Sequence, residues 1–466
     1  MSRSDAQIVT VAQMQAAEQA LMDAGIDVHA LMQIAGRGAA DFVWRLAAHR
    51  PVTVLCGPGN NGGDGYVIAE AIRERGGSAR VIAAIEPKTD AALRARSLFG
   101  GEVLGPDADP HGEVLVDCLF GSGLARPLGD DLAALLCRLA KHHRHSVAID
   151  LPSGVRSDSG MLLDEGLPRY DLTVALGAWK YAHFLMPASA NMGETRLVPI
   201  GIEAVSGAAR RIERPRIAAP AADAHKYKRG LLAVVGGDMP GAAVLACIAA
   251  QGAGAGYVKL FGQGAAGASP DLVVDGGKLS SVLTDDRNTA VLVGPGLGRS
   301  GTARERLATA LADPVPVVLD ADALVLLGER QLSERQAATV ATPHEGELAT
   351  LERNFGLEGS GSKVERARAL AADSGMVIVA KGPDTVVAAP DGRIACAGPA
   401  TSWLSTAGTG DVLAGIVASR VAAGAESFEA ACEGVWIHAE AARGLGPAFT
   451  AGELANAVPT ALAACL

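Results

Sequence analysis

Short apolar runs alternate with helical stretches along nearly the whole chain, and the alternation breaks once. Before the break the β-type runs fall at residues 51–56, 79–85, 114–119, 146–151, 172–176 and 195–199. After it they fall at 231–235, 290–293, 315–319, 339–342 and 376–380. Strands joined by segments long enough to cross back as helices build parallel sheets, so the first half is expected to be a doubly wound α/β structure and the second, with its own alternation, a further α/β domain. Two helices are expected ahead of the first strand, because Val11, Met14, Glu18 and Leu21 recur at helical spacing and residues 31–46 continue the pattern. Helical patterns at 409–421 and 428–443 close the chain. The break, between about residues 203 and 224, is rich in alanine, proline and alternating charge and has no sustained apolar period. It delimits a domain of residues 1–205, a linker of 206–221 and a second domain of 222–466. A length of 466 residues suits two cores better than one. The glycine motifs of the halves differ in spacing and order, so no internal repeat relates them.

Aromatics make up only 4% of the chain, and its 57 glycines lie in many short clusters, which suits small-residue packing with numerous strand-to-helix turns. The net charge of -10 comes without a basic stripe, which argues against a nucleic-acid surface. Any anionic ligand must be held by backbone amides and a few local cations. The seven cysteines are scattered without CxxC or metal-ligand spacing and read as buried reduced thiols. No apolar signal core opens the sequence, and no run is long enough to span a bilayer. A cytoplasmic protein without a membrane segment is expected.

In the first half the run Gly57, Pro58, Gly59, Asn60, Asn61, Gly62, Gly63, Asp64, Gly65 stands between a strand and a helix. Taken alone it is equally a tight turn or an anion cradle, in which amides at a helix start meet phosphate oxygens. Two further loops add weight to the cradle. Asp117 ends one strand and is followed by CLFGSGLARP; Asp150 ends another and is followed by Leu151, Pro152, Ser153, Gly154. Ligands in open α/β sheets bind at the carboxyl ends of strands, where these three loops converge. The cluster His142, His143, Arg144, His145 ends a helical run and reads as a solvated helix terminus without function.

GPGNNGGDG, VDCLFGSGL, AIDLPSG and GAWK, in that order after two helices, resemble the NAD(P)H-hydrate epimerase domain over residues 10–202. The resemblance implies a Rossmann-like fold in which Asn60, Asn61, Gly62, Gly63 and Asp64, together with Gly121, Ser122, Gly123, Leu124, Ala125, Arg126 and Pro127, contact the hydrate. It also implies a potassium ion at Asn61, Asp117 and Ser153. Asp150 becomes the substrate-binding and catalytic carboxylate, able to shuttle a proton while the centre at C6 opens and re-closes. The same domain type also serves as a non-catalytic module, which the intact Asp117 and Asp150 disfavour.

The second half opens with HKYKRG, and its stretch of small residues at 241–256 reads first as a tightly packed helix leading into a strand. GPGLG at 294–298 follows a strand, Asp320 and Asp322 end another, and His344 lies in the loop TPHEGE. Lys381 follows a further strand in KGPDT. Most informative is GTGDVLAG at 408–415, where successive amides of Gly408, Thr409 and Gly410 at a helix start suggest an anion hole, with Asp411 placed as a base. Together these motifs resemble the ADP-dependent NAD(P)H-hydrate dehydratase, of the ribokinase-like group, over residues 222–462. The resemblance implies that Lys381, Gly382, Pro383, Asp384, Thr385 and Gly410 hold the adenine nucleotide, and that Gly254, Gly296, His344 and Asp411 contact the hydrate. Asp411 is the implied base, ADP the cosubstrate, and Mg2+ the ion on its phosphates.

The rival reading is a small-molecule kinase fused to a non-catalytic ligand-binding module, since a kinase needs the same glycine hole and aspartate. An epimerase that supplies the S hydrate to a dehydratase accounts for the fusion and is preferred. The expected partners are the hydrates NADHX and NADPHX and an adenine nucleotide, with no nucleic acid and no membrane; a homo-oligomer is expected.

Overall fold

The computed structural model describes residues 3–262 and 268–466. The chain divides into two compact units, Met1–Arg210 and Arg211–Leu466.

The first unit holds a seven-stranded parallel sheet in the order Glu102–Leu104, Ala79–Ala83, Val52–Cys56, Gly112–Cys118, His143–Ile149, Leu172–Leu176, Glu194–Val198. Alternate residues of the central strands feed two different cores, as the period of two requires. Val54 and Val116 pack with Ala35, Val43 and Ile68 on one face, whereas Leu55 and Leu115 pack with Leu136 and Leu139 on the other. From Val52–Cys56 the chain builds outward to one edge, then returns to start Gly112–Cys118 on the other side. That reversal opens a crevice above the carboxyl ends of these two strands. Thr10 closes a capping box on the helix Val11–Asp23, and Asp27 caps Val28–Ala47, so both expected N-terminal helices have defined starts. Gln7–Val9 pairs with Trp179–Lys180 in parallel and with Ala209–Arg211 antiparallel. The 206–221 stretch thus contains a paired strand near its start.

The second unit orders seven parallel strands as Val273–Asp275, Tyr257–Phe261, Leu231–Val235, Asn288–Val293, Val317–Leu319, Thr339–Ala341, Val377–Ala380, and extends them by the antiparallel pair Val386–Ala388 and Ile394–Cys396. The hairpin was not read from the sequence. Its signal is the turn Pro390, Asp391, Gly392, closed by the Ala389 amide donating to the Arg393 carbonyl. The strand order again reverses beside Leu231–Val235, at its boundary with Asn288–Val293.

The histidine cluster departs from expectation. Only His142 caps the helix Asp130–Lys141; His143 starts the strand His143–Ile149 and is buried, bonded to the Thr53 hydroxyl (2.9 Å) and the Leu139 carbonyl (2.7 Å). The seven cysteines are free and six are buried. Among the described residues no helix is long and apolar enough to cross a membrane.

The helix Pro240–Gly252 lies directly against Thr409–Ala422, the helix that carries Asp411. A Cβ at Gly415 would stand 2.2 Å from the Ala246 carbonyl oxygen, a backbone atom that cannot yield alone. Gly415→Ala is therefore expected to lower the stability of the second unit by about 1–3 kcal/mol, read as an earlier thermal transition. An unchanged transition would show that the two helices separate freely.

Candidate functional sites

In the first unit the helix Asn60–Glu74 starts at the carboxyl end of Val52–Cys56, capped by Gly59 without any side-chain hydrogen bond. Its glycines act chiefly through space. A Cβ at Gly57 would lie 1.9 Å from the Leu119 carbonyl oxygen, and one at Gly65 would lie 2.7 Å from the Cys56 Sγ. Asn60 and Asn61 thus reach the crevice from the first helical turn, with Gly62 and Gly63 buried behind them.

A cavity of about 370 Å³ occupies the crevice. Asn60, Asn61, Asp64, Gly121 to Leu124 and Asp150 line it, joined by Glu18 and Lys180. Ala125, Arg126 and Pro127 are exposed and stand outside its lining. A smaller space of about 130 Å³ shares Glu18, Asn60 and Asp64 and is otherwise mostly apolar.

Asp150 sits at φ 66, a left-handed conformation unusual for a non-glycine residue and here secured from three sides. Its Oδ2 accepts from the Ser122 amide (2.9 Å), its Oδ1 lies 2.5 Å from the Lys180 Nζ, and its carbonyl accepts from the His183 Nε2 (2.8 Å). The Lys180 amide donates to the His183 Nδ1 (3.0 Å), and its ammonium also donates to the Leu176 carbonyl (2.6 Å). Burial pushes the Asp150 carboxyl upward, but the charge and hydrogen bond of Lys180, with His183 and the Ser122 amide, together outweigh it and hold the group below its usual range. Burial also keeps His183 neutral, down to about 4. Asp64 goes the other way: burial and the Asp150 charge raise its carboxyl well above the ordinary value. Glu18 is raised as well, mainly by burial. Lys180, His183 and Glu18 carry no role in the sequence reading, because a lysine in GAWK and a glutamate on an amphipathic helix give no local sign of their orientation.

Asp117 is fully buried. It accepts from the Leu119 amide (3.1 Å), the Ser153 amide (3.0 Å), the Ser153 hydroxyl (2.7 Å) and the Tyr170 hydroxyl (2.6 Å). All four donors are neutral, and burial raises the carboxyl's pKa. Asn61 lines the cavity with both side-chain polar atoms buried and without a hydrogen-bond partner.

In the second unit Lys381 is nearly buried, 2.6 Å from Asp320 and 3.9 Å from Glu347. The Thr342 hydroxyl also donates to Asp320 (2.7 Å). Despite burial, these carboxylates raise the Lys381 pKa and keep it charged. Gly410 comes so close that a Cβ there would stand 3.3 Å from the Lys381 Nζ. The Asp411 carboxyl is lifted to about 6 by burial, then by the Asp320 charge, against the pull of Lys381. A cavity of about 370 Å³ adjoins, lined by Lys381, Gly382, Pro383, Thr385, Gly410 and the buried His438, among others.

The other predicted residues of this unit stand as follows. Asp384 is buried in an ion pair with Lys363 and does not line that cavity. His344 is the N-cap of the helix Glu345–Asn354, its Nδ1 accepting from the amides of Gly346 (3.0 Å) and Glu347 (3.3 Å). Gly296 follows Asn288–Val293 at the carboxyl edge, where a Cβ would stand 2.0 Å from the Met239 carbonyl oxygen. Gly254 lies between a helix end and the start of Tyr257–Phe261, so it sits at the opposite edge of the sheet, its carbonyl accepting from Arg229 (3.1 Å). The anion hole is also narrower than three amides, since the Thr409 amide donates to the Thr406 carbonyl (3.3 Å).

The family model described as NAD(P)H-hydrate dehydratase matches residues 232–462, and that described as YjeF-related protein N-terminus matches residues 28–182. A bifunctional NAD(P)H-hydrate repair enzyme of Thermosynechococcus vestitus is 32% identical, covering 93% of this chain and 92% of its own. That of Salinibacter ruber is also 32% identical, over 96% and 94%. Among solved structures, the ADP/ATP-dependent NAD(P)H-hydrate dehydratase of Bacillus subtilis, co-crystallized with ATP and Mg2+, is 26% identical over 54% of this chain and 95% of its own, with a TM-score of 0.48. With such relatives aligned over nearly the full length of both chains, this chain belongs to the family of bifunctional NAD(P)H-hydrate repair enzymes.

Proposed function

We propose that the first unit interconverts the R and S hydrates of NADH and NADPH, and that the second dehydrates the S form using ADP, releasing AMP and phosphate. The observation that carries this reading is that each unit sets an acid-base carboxylate beside a buried lysine at the carboxyl edge of a parallel sheet: Asp150 with Lys180, and Asp411 with Lys381.

In the first cavity the ionised Asp150 takes and returns a proton as the C6 centre opens and re-closes, while Asp64 stays protonated beside it. The amides at the start of Asn60–Glu74 face the hydrate's phosphates. The unpartnered Asn61 carboxamide and the Asp117 carboxylate, surrounded only by neutral donors, fit a potassium ion together with the Ser153 hydroxyl. When bound, that ion supplies the positive charge the buried carboxylate lacks.

In the second cavity the Gly408 and Gly410 amides and the Lys381 ammonium receive the nucleotide phosphates. Asp411 removes the C6 hydroxyl proton, and the hydroxyl oxygen takes the terminal phosphoryl group of ADP as AMP leaves. Phosphate then departs with the electrons of the C6–O bond, and loss of a proton from C5 restores the ring double bond. Asp320 and Glu347 are oxygen donors that fit a magnesium ion held mainly by the phosphates, whose charge it neutralises.

Asp150→Asn is expected to slow R-to-S interconversion by at least about 10²-fold while leaving dehydration of pure S hydrate intact. Chiral separation of the hydrates reads the first activity and reduced-nicotinamide absorbance the second; retained interconversion removes Asp150 from the chemistry. Lys180→Met takes away the charge that holds Asp150 ionised, so the acid limb of the epimerase pH profile should move to higher pH and the dehydratase profile should stay in place.

Asp411→Asn should bind ADP nearly as the parent does, by calorimetry, yet lose about 10²- to 10⁴-fold in turnover. In the parent, a base with its pKa near 6 must be deprotonated to act, so dehydratase kcat/KM should fall as pH drops through about 6. Turnover within about tenfold of the parent would move the base elsewhere, and a collapse of ADP affinity would make Asp411 a binding residue instead.

A further inference from the structure

The histidine run at 142–145 serves neither cavity, and the structure gives its first member different company. The His142 Nδ1 lies 2.8 Å from the Asp109 Oδ1. The His111 ring stacks on the His142 ring with centroids 4.1 Å apart and planes within 13°. Among the described residues these three form the only group of three histidine, cysteine or carboxylate side chains whose ligand atoms all lie within 4.8 Å of one another. Asp109 and His111 belong to the segment entering Gly112–Cys118, and His142 ends the helix Asp130–Lys141, so the donors come from two parts of the chain.

Bonds that leave the ligand atoms uncommitted hold these two parts together. The Gly112 amide donates to the His142 carbonyl (3.1 Å), and Arg138 donates to the carbonyls of Pro106 (3.2 Å) and Ala108 (3.5 Å). The backbone is therefore arranged before any ion arrives. Arg138 also approaches the Asp109 carboxylate (3.3 Å), so that oxygen already faces positive charge.

We propose that Asp109, His111 and His142 bind a divalent ion of the zinc, nickel or copper class. Two imidazoles and one carboxylate are the donors such ions prefer, whereas potassium and magnesium favour oxygen alone. Imidazole lone pairs lie in the ring plane, so one of the stacked rings must turn out of the stack as the ligand atoms close to about 3.4 Å, the spacing of a tetrahedral site with bonds of about 2.1 Å; rotation of partly exposed side chains supplies that movement. Three protein ligands leave a position for water. The site lies at the amino edge of the sheet, separated from the Asp150 crevice by the length of a seven-residue strand, about 20 Å. Its consequence is mechanical: the ion clips the segment before the central strand to the end of a covering helix.

The test uses the full-length protein, stripped with a chelator and titrated with Zn2+ by calorimetry and with Co2+ by visible absorption. One equivalent of each should bind, a zinc-soaked crystal should show anomalous density among the three side chains, and zinc should raise the thermal transition. His111→Gln and His142→Gln, each on the surface, should weaken binding by at least about tenfold and leave both metal-free activities unchanged. Cys137→Ser, which removes the only partly exposed thiol, should bind as the parent does. Absence of stoichiometric binding, binding indifferent to both histidine variants, or density at other donors would each overturn the site.

Discussion

A helix can press its backbone directly on a strand end or on another helix only where no side chain stands at the crossing. Both units depend on that constraint. Gly57 and Gly65 allow Asn60–Glu74 to approach the ends of Val52–Cys56 and Gly112–Cys118, and Gly415 allows Asp411's helix to press on its neighbour. Any Cβ at these points would meet backbone or buried sulfur well inside contact distance. The close approach brings helix starts, with their unpaired amides and partial positive charge, to the crevice where the strand order reverses.

The second organising force is the handling of buried charge. A carboxylate taken out of water shifts toward its neutral form unless a cation or several donors compensate. The first unit uses this rule in opposite senses on adjacent groups: Lys180 and its neighbours draw the Asp150 carboxyl down, whereas burial and the Asp150 charge raise that of Asp64. In the second unit Lys381 makes its close contact with Asp320, and burial, then the Asp320 charge, leave the Asp411 carboxyl lifted to about 6. Carboxylates of one residue type thereby acquire different roles from their surroundings.

Much of this architecture was legible because α/β layering writes itself into the sequence twice. Buried strands appear as apolar runs, and glycine-rich turns mark their carboxyl ends. Asp117, Asp150, Asp320 and Lys381 follow or end such runs, Asp411 stands in the first turn of Thr409–Ala422 after a glycine turn, and the fold places all five in or beside the two cavities. Less legible were Ala125, Arg126 and Pro127, which continue a motif past the point where the chain leaves the cavity. The local settings of Gly254 and His344 were equally invisible in the sequence: one lies at the far edge of the sheet, and the other caps its own helix with its Nε2 3.4 Å from Glu347.

The sequence by itself determined the two-domain α/β organisation, the positions of the glycine turns and the acids that follow the strands, because local periodicity and chain order encode these directly. Only the tertiary structure decided the electrostatic character of each acid. Lys180 lies thirty residues from Asp150 and Lys381 sixty-one from Asp320, and no spacing rule relates residues that meet only when separate strands align in a sheet. The same holds for Asp109, His111 and His142. Their meeting depends on a loop and a helix end folding onto one edge, where the free energy of packing distant segments, rather than any local pattern, sets the distances between side chains.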